Sequence, residues 1–240
     1  MNKRHILFFM PSLSGGGAEQ VTFNLIKQMN TEKYHVGNFI TNKKGVKAYF
    51  TRCKSASASS LQCAIYMADV NKDGVFENVE KLSEYINEPG YNNTQITLAK
   101  TYEGKDLLIF ASDRPGGYGN MDLWSSELSS SGKPKKARNL GKTINSPGNE
   151  LSPSFYDSTS TLYFSSDWHA GLGGIDVFST SFDENEEAYI HPTNLGRPIN
   201  TPNDELFFSI KQDSSGAFMA TNREGSFFIK RNNKQTLFRN

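Results

Sequence analysis

The sequence predicts an all-β fold made of repeated units, and two separate landmarks carry that prediction. FASDRPGGYGNMDLW, beginning at Phe110, recurs 54 residues later as FSSDWHAGLGGIDVF, beginning at Phe164. NLGKTINSPGNEL, beginning at Asn139, recurs 55 residues later as NLGRPINTPNDEL, beginning at Asn194. Two landmarks that keep one period indicate a repeated supersecondary unit rather than a chance motif.

Each unit reads as about four short strands separated by turns. The stretch TLYFSS from Thr161 has apolar residues at period two, and a glycine-rich loop separates it from IDVFSTSF, beginning at Ile175. Proline, asparagine and aspartate turn signals in INTPNDEL precede the apolar run 206–210. Four short strands per unit suit the blade of a β-propeller.

For the whole chain we predict an incomplete β-propeller of about three four-stranded blades plus a partial blade. An earlier, more divergent unit is visible because residues 50–53 match residues 110–113, and a further unit opens at Phe218. Residues 1–40 are expected to form a separate β-loop-α segment, and residues 41–240 the propeller repeats. The expected units lie near 47–106, 107–160, 161–215 and 216–240.

Composition argues against several classes of partner. The formal net charge of +1 does not suit a nucleic-acid surface or a polybasic membrane anchor. No apolar run approaches the roughly 20 residues that span a bilayer. The apolar patch from Ile6 to Met10 is shorter than the ~7–15 residues of a signal-peptide core. We therefore expect no nucleic acid partner, no transmembrane segment and no cofactor.

Two cysteines, Cys53 and Cys63, flank the polar stretch KSASASSLQ. A disulfide there would close a surface loop and would imply an oxidising compartment, and we favour it over two unrelated buried thiols. The two cysteines and four scattered histidines show no metal-ligand spacing, so no metal site is expected.

Asp113 and Asp167 each follow a strand and precede a glycine loop, and Asn222 takes the same place in the last unit. A carboxylate there can accept hydrogen bonds from loop N–H groups and fix the turn. We favour this structural turn role over catalysis, because a catalytic acid is needed once and a turn residue in every unit. Asp122 and Asp176 recur in the same way and receive the same interpretation.

Residues 69–80, DVNKDGVFENVE, match the calcium-loop pattern D-x-[DN]-x-[DN]-G-x₅-E. Asp69, Asn71, Asp73 and Glu80 would supply the oxygen ligands. The preceding CAIYMA reads as a strand rather than as an entry helix, however, and turns use the same residue types. We therefore interpret the segment as a hairpin turn.

The pattern F-x-S-D-R-P-G-G-x-G-x-x-D-[LIV]-[WF], followed by N-L-G-x-x-I-N-[ST]-P, resembles the WD-repeat-like β-propellers of the TolB and PD-repeat type. It is most similar to propellers within OmpA-family outer-membrane proteins, whose F-T-R-C…C-x-I-Y variant residues 50–53 and 63–66 match. The resemblance covers roughly residues 45–240. It implies protein or cell-envelope partners and a periplasmic or outer-membrane-associated location.

The N-terminal stretch ILFFMPSLSGGGAEQVTFNLIKQMN reads as a strand, a glycine loop and an amphipathic helix. Residues 4–36 resemble the first βα unit of GT-B glycosyltransferases. That resemblance implies phosphate binding by Gly15, Gly16, Gly17 and Glu19, since N–H groups at a helix N-terminus suit a phosphate. The second domain of such enzymes is not evident in the sequence.

No nucleophile–base pair or metal triad stands out in the sequence. We therefore expect a non-enzymatic interaction module, with peptidoglycan binding not carried over because no OmpA-like domain is visible. The alternative is a glycosyltransferase fragment that binds a nucleotide sugar at residues 15–17.

Overall fold

A computed structural model of the chain describes residues 35–55, 61–211, 213–224, 227–230 and 236–239. The described residues form strands, turns and one short 3₁₀ turn (Asp157–Thr159), and they contain no α-helix. Nothing in this part of the chain is a helix long and apolar enough to cross a membrane. The all-β prediction is confirmed for the described residues.

The strands pair into four antiparallel sheets in chain order. Sheet 1 contains β1 (His35–Thr41), β2 (Lys47–Ser55), β3 (Leu61–Val70) and β4 (Phe76–Lys81). Sheet 2 contains β5 (Asn93–Lys100), β6 (Asp106–Ser112), β7 (Asp122–Glu127) and β8 (Arg138–Asn139). Sheet 3 contains β9 (Glu150–Tyr156), β10 (Thr161–Ser166), β11 (Asp176–Asp183), β12 (Ala188–Tyr189) and β13 (Thr193–Asn194). Sheet 4 contains β14 (Glu205–Ile210), β15 (Gly216–Thr221), β16 (Phe227–Lys230) and β17 (Thr236–Arg239).

The described residues thus form four sheets rather than three and a part. The landmarks at Phe110 and Phe164 lie in the second strand of their sheets. Units that begin near these landmarks therefore place the first strand of each sheet in the preceding unit. The expected boundary after residue 40 falls at the end of β1, which pairs with β2. The predicted β-loop-α segment lies outside the described residues, except for residues 35–40, which belong to β1.

Apolar side chains fill the spaces between neighbouring sheets. Tyr49 and Ile65 of sheet 1 pack with Leu108 and Phe110 of sheet 2. The next layer joins sheets 2 and 3, and the third joins sheets 3 and 4. Because an interior sheet is covered on both faces, its strands are nearly continuous apolar runs, such as LLIFA in β6.

The first strands of the sheets carry the same irregularity. Asn38, Gln95, Ser152 and Phe207 all have positive φ, between 41° and 54°, and the ladder register shifts beside them. Such bulges bend the strand and are stable only when other contacts hold them. Here the Asn38 Oδ1 accepts the N–H of Ile96, and the Gln95 Oε1 accepts the N–H of Ser152 at 2.7 Å. The bulges at Asn38 and Gln95 therefore tie the first strands of sheets 1 and 2 to the first strand of the next sheet.

Cys53 and Cys63 lie directly opposite each other in the β2–β3 ladder and form a disulfide, with their Cα atoms 4.0 Å apart. This separation is slightly shorter than the ~4.4–6.8 Å that most disulfides show. We expect a Cys53→Ser/Cys63→Ser variant to lose roughly 2–3 kcal/mol of unfolding free energy, because the bond restricts a short loop in the unfolded chain. Urea denaturation would measure the loss, and dithiothreitol should reproduce it in the unchanged protein. Equal stability with and without the bond would contradict the expectation.

Candidate functional site

One side of the molecule is covered by the connections between strands. In an antiparallel sheet, the connection from the second to the third strand and the one leaving the fourth strand lie at the end where the first strand begins. We call this side the loop face, and it contains residues 82–92, 113–121, 140–149, 167–175 and 195–204. Hydrogen bonds join its loops: the N–H of Asn120 donates to the Gly148 carbonyl at 2.9 Å, and the N–H of Glu150 to the Met121 carbonyl at 2.6 Å.

Buried asparagines hold the third strands of the sheets to the loop face. The Oδ1 of Asn145 accepts the N–H of Leu123 at 2.8 Å, and its Nδ2 donates to the Leu123 carbonyl at 2.9 Å and to Asn139 Oδ1 at 2.8 Å. A side-chain amide has both a donor and an acceptor, so it can pair with both backbone groups of one residue. The same clamp recurs as Asn87 on Ile65 and Asn200 on Val177.

Each predicted turn residue pairs with the residue that precedes the first strand of its sheet. The Asp113 carboxylate accepts the backbone N–H of Asn92 at 2.5 Å and the side-chain Nδ2 of Asn92 at 2.9 Å. Asp113 therefore binds the residue before the first strand rather than its own glycine loop. Asp167 does the same with Asn149. In the last pair the two residue types are exchanged, and Asn222 accepts the N–H of Asp204 and donates to its carboxylate.

The glycine loops are held instead by Asp122 and Asp176. Asp122 accepts the N–H groups of Tyr118 and Gly119, and Asp176 accepts those of Leu172 and Gly173. The glycines allow neighbouring loops to touch, since a Cβ on Gly119 would lie 2.2 Å from the Gly148 carbonyl oxygen. These residues therefore build the loop face.

Arginine side chains form hydrogen bonds across two of the described junctions between sheets. Arg114 donates to the carbonyl of Tyr85 at 3.1 Å, to that of Ile86, and to Asn93 Oδ1 at 2.6 Å. Its guanidinium lies 5.2 Å from the centre of the Trp124 ring. Burial lowers the pKa of Arg114 from its usual value, while the nearby Glu88 and Asp113 carboxylates raise it.

Arg223 repeats the arrangement at the junction of sheets 3 and 4. It donates to the carbonyl of Pro198 at 3.2 Å, to that of Ile199 at 2.6 Å, and to Glu205 Oε1 at 3.0 Å. Glu205 is fully buried and therefore forms an ion pair with little solvent around it.

The junction of sheets 2 and 3 departs from this pattern. Trp168 follows Asp167 at the position that Arg114 and Arg223 occupy at the other two junctions, and it is 61% exposed. The neighbouring His169 contacts the Ile144 carbonyl through Nε2 at 2.8 Å, as the arginines contact Ile86 and Ile199. The repeat in the sequence carried this signal, because SDR, SDW and TNR align, but the exposure of Trp168 is visible only in the structure.

Further large side chains are exposed on the loop face. Besides Trp168, they belong to Tyr85, Tyr91, Tyr118 and Leu172. Their loops are held by buried hydrogen bonds, so the exposed rings stand on a well-anchored base. A rigid surface with exposed aromatic side chains is typical of a binding face.

The space between the first strands is narrow. It is lined by Asn38, residues 152–154 and residues 207–209, which belong to sheets 1, 3 and 4. The volume open to the centre of a water molecule is about 10 Å³. That is room for about one water, so a sugar or nucleotide does not fit there.

The residues considered for metal and phosphate binding are placed as follows. Asp69 pairs with Lys47 and Asn78, and Asn71 accepts the N–H groups of Asp73 and Val75 within the β3–β4 turn. The Lys47 and Asn78 contacts lower the pKa of the Asp69 carboxyl. In the part of the chain that the structure describes, no three acidic, histidine or cysteine side chains come close enough to hold a metal ion. Gly15, Gly16, Gly17 and Glu19 lie outside the described residues.

No protein-family model matches the sequence, and neither does any curated protein. Among solved structures, the chain is similar to an α-L-arabinofuranosidase from Lactobacillus brevis, with 10% identity, a TM-score of 0.50, and coverage of 88% of this chain and 71% of that one. An endo-arabinase from Bacteroides thetaiotaomicron has 12% identity, a TM-score of 0.49, and coverage of 85% and 72%. A puromycin-hydrolyzing peptidase from Mycobacterium tuberculosis has 12% identity, a TM-score of 0.47, and coverage of 86% and 38%. At these identities the likeness concerns the fold.

These neighbours correct two expectations. The resemblance to TolB- and PD-repeat propellers of OmpA-family proteins is contradicted, because the solved structure that the chain matches at a TM-score of 0.50 is an α-L-arabinofuranosidase. The expected non-enzymatic interaction module is contradicted for the same reason, since the arabinofuranosidase is an enzyme. The landmarks that suggested the family are clamps such as Asn145 and Asp122, and such residues report the chemistry of the fold rather than its function. The envelope partners and location implied by that resemblance lose their support.

Proposed function

We propose that the protein is a carbohydrate-active β-propeller whose loop face binds a glycan, with Trp168 as the principal contact. The propeller architecture is part of the proposal. Three observations support it: the four sheets follow one another in chain order, their first strands are joined by the Asn38 and Gln95 bonds, and those strands line one narrow space. The fold likeness to the arabinofuranosidase is consistent with this architecture.

The observation that carries the functional proposal is the replacement of a buried arginine by an exposed Trp168. Folding does not require the exposed ring, because His169 makes the inter-sheet contact with Ile144. An exposed indole costs solubility and gains nothing for the core. It offers a flat apolar face with a polar edge, which matches the C–H face and hydroxyl rim of a sugar ring.

The backbone beneath Trp168 is held in place. Its N–H donates to Ser166 Oγ at 3.2 Å, and a Cβ on Gly148 would lie 2.8 Å from the Trp168 Cβ. Because the backbone is already fixed, only the side-chain rotamer has to be ordered when a ligand stacks on the ring. The narrow space at the axis and the exposed rings together favour an extended glycan lying on the surface over a small buried ligand.

The described residues carry no assigned catalytic role in this proposal. Glycoside hydrolysis generally uses two carboxyl groups, about 5–9.5 Å apart, that flank the scissile bond. The buried carboxylates Glu150 and Glu205 each accept one hydroxyl from the preceding connection and one from the second strand of their own sheet. Glycan recognition is therefore what this part of the chain is proposed to supply.

Trp168→Ala is expected to weaken glycan binding at least about tenfold, equivalent to ~1.4 kcal/mol, with no change in melting temperature. Arabino-oligosaccharides would be titrated by calorimetry, since the arabinofuranosidase is among the structural neighbours, and released reducing ends would be assayed in the same samples. Trp168→Arg is the matched variant, because it restores the arginine of the other junctions and should fold normally without binding. Phe182→Ala removes an exposed ring away from the loop face and should bind normally. Unchanged affinity in both Trp168 variants would refute the proposal.

A further inference from the structure

Glu150, the first residue of β9, lies at the centre of a buried hydrogen-bond network. Its Oε2 accepts the N–H of Ser146 at 2.8 Å. Its Oε1 accepts the hydroxyl of Ser146 and that of Ser166, the latter at 2.9 Å. Since the side chain is fully buried, these donors replace the water that a carboxylate would otherwise bind.

Ser166 connects this carboxylate to the Trp168 segment. Its Oγ accepts the N–H of Trp168 at 3.2 Å and that of His169 at 3.4 Å while it donates to Glu150. A hydroxyl has one donor and two acceptor positions, so all of its capacity is used. The direction in which the Ser166 hydroxyl points therefore depends on Glu150 remaining an acceptor.

The equivalent sites at the other described junctions carry a permanent positive charge. Glu205 accepts Thr201 and Thr221 hydroxyls as Glu150 accepts those of the serines, but it also pairs with Arg223. The third site has the neutral Asn93 beside Arg114. An arginine stays charged at any pH a protein tolerates, so the positive charge at those two sites is constant.

At Glu150 the surroundings differ. Burial raises the pKa of its carboxyl, against the lowering effect of the two serines and of His169. His169, from the loop 167–175, is the titratable group whose field acts on it, whereas β10 and the connection 140–149 contribute hydroxyl and backbone groups. Because the folded-state pKa is raised, the folded protein takes up this proton at a higher pH than the unfolded chain does. The stabilisation from this group is complete below the unfolded pKa and is lost as the pH rises through the folded pKa.

We propose that Glu150 is a proton-operated positioning residue for Trp168, so that the glycan-binding surface responds to acidification. The inference rests on the proposed function for its biological meaning, but the positioning itself does not require a glycan. When Oε1 takes up a proton, the carboxylic O–H donates to a serine hydroxyl that previously donated to it. If Ser166 is that partner, the O–H competes with the N–H groups of Trp168 and His169, and the Trp168 segment loosens.

The fluorescence of Trp168 would test the positioning without any ligand. The chain has two tryptophans, and Trp124→Phe leaves Trp168 as the single reporter while removing a buried ring N–H that has no partner in the described structure. In this background the Trp168 emission should titrate with a midpoint above the ~4.3 of an exposed glutamate. Glu150→Gln should abolish the transition, because the amide keeps the size and an acceptor oxygen but does not take up a proton. Glu205→Gln, the matched change at the next junction, should leave it in place.

His169→Gln separates the two titratable groups, since it keeps a side-chain N–H for the Ile144 carbonyl and removes the imidazole. The transition should persist in this variant, with its midpoint moved upward because a positive charge is lost. Glycan affinity should fall several-fold across the transition in the unchanged protein and stay level in Glu150→Gln. A transition that survives in Glu150→Gln, disappears in His169→Gln, or is absent from the reporter protein would overturn the proposal. A pH-dependent Trp168 emission in a protein that binds no glycan would refute the proposed function and leave the positioning role intact.

Discussion

Replacing Asn145 with alanine is expected to lower the free energy of unfolding by about 3–5 kcal/mol. The change removes three hydrogen bonds at once and leaves the N–H of Leu123 without its partner at a fully buried position, while the Leu123 carbonyl keeps the N–H of Leu140. The unsatisfied N–H costs about 1–3 kcal/mol, and each of the other two lost hydrogen bonds adds about 0.5–1.5 kcal/mol. Chemical denaturation followed by circular dichroism would measure the loss.

Two further variants make this prediction specific. Asn145→Asp keeps the acceptor for the Leu123 N–H but loses the donor and buries a charge, so it should be about as damaging as alanine. Asn120→Ala changes an exposed asparagine on the same face and should stay within about 0.5 kcal/mol of the unchanged protein. A small effect of Asn145→Ala, similar to that of Asn120→Ala, would show that the clamp does not hold the sheet.

Arg114→Ala is expected to destabilise the protein by a similar amount, about 3–5 kcal/mol. The guanidinium satisfies the carbonyls of Tyr85 and Ile86 and packs against the rings of Phe110 and Trp124. Its removal leaves those carbonyls without a partner and opens a cavity beside Trp124. Thermal unfolding and urea titration would both report the loss.

Arg114→Lys separates charge from geometry. Lysine keeps the positive charge but does not reach several acceptors as a planar fork, so we expect it to recover less than half of the loss. Arg138→Ala removes an exposed arginine from the same sheet and should change stability by less than about 1 kcal/mol. Full recovery in Arg114→Lys would mean that the charge, rather than the fork-shaped hydrogen bonding, stabilises the junction.

Both predictions concern the junctions between sheets. Each described sheet makes its ladder bonds with its own strands, and the junctions add buried apolar layers and clamps such as Asn145 and Arg114. Stability in such an arrangement depends on the sheets together with the interfaces between neighbours. A lost clamp is therefore expected to weaken two sheets at once, which the breadth of the unfolding transition would show.

The sequence by itself determined the all-β fold class and the presence of a repeat, because period-two apolar runs and glycine or proline turns are local signals. It placed Asp113, Asp167 and Asn222 at equivalent positions for the same reason. It misplaced the start of each sheet, because the repeated landmarks lie in second strands such as β6 and do not show that the strand before them belongs to the same sheet. It also led to an incorrect functional class, since the motifs that suggested a family are hydrogen-bond clamps of the fold.

Only the tertiary structure decided which repeated residues face inward. Arg114, Trp168 and Arg223 align in the repeat, yet the arginines turn towards carbonyl groups and the tryptophan turns towards solvent. The difference depends on His169 reaching the Ile144 carbonyl and on Gly148 allowing the chain to approach, and both contacts lie between segments far apart in sequence. The burial of Glu150 has the same origin, because strands and loops from different parts of the chain remove it from water. Such positions are set by long-range packing, which local patterns do not encode.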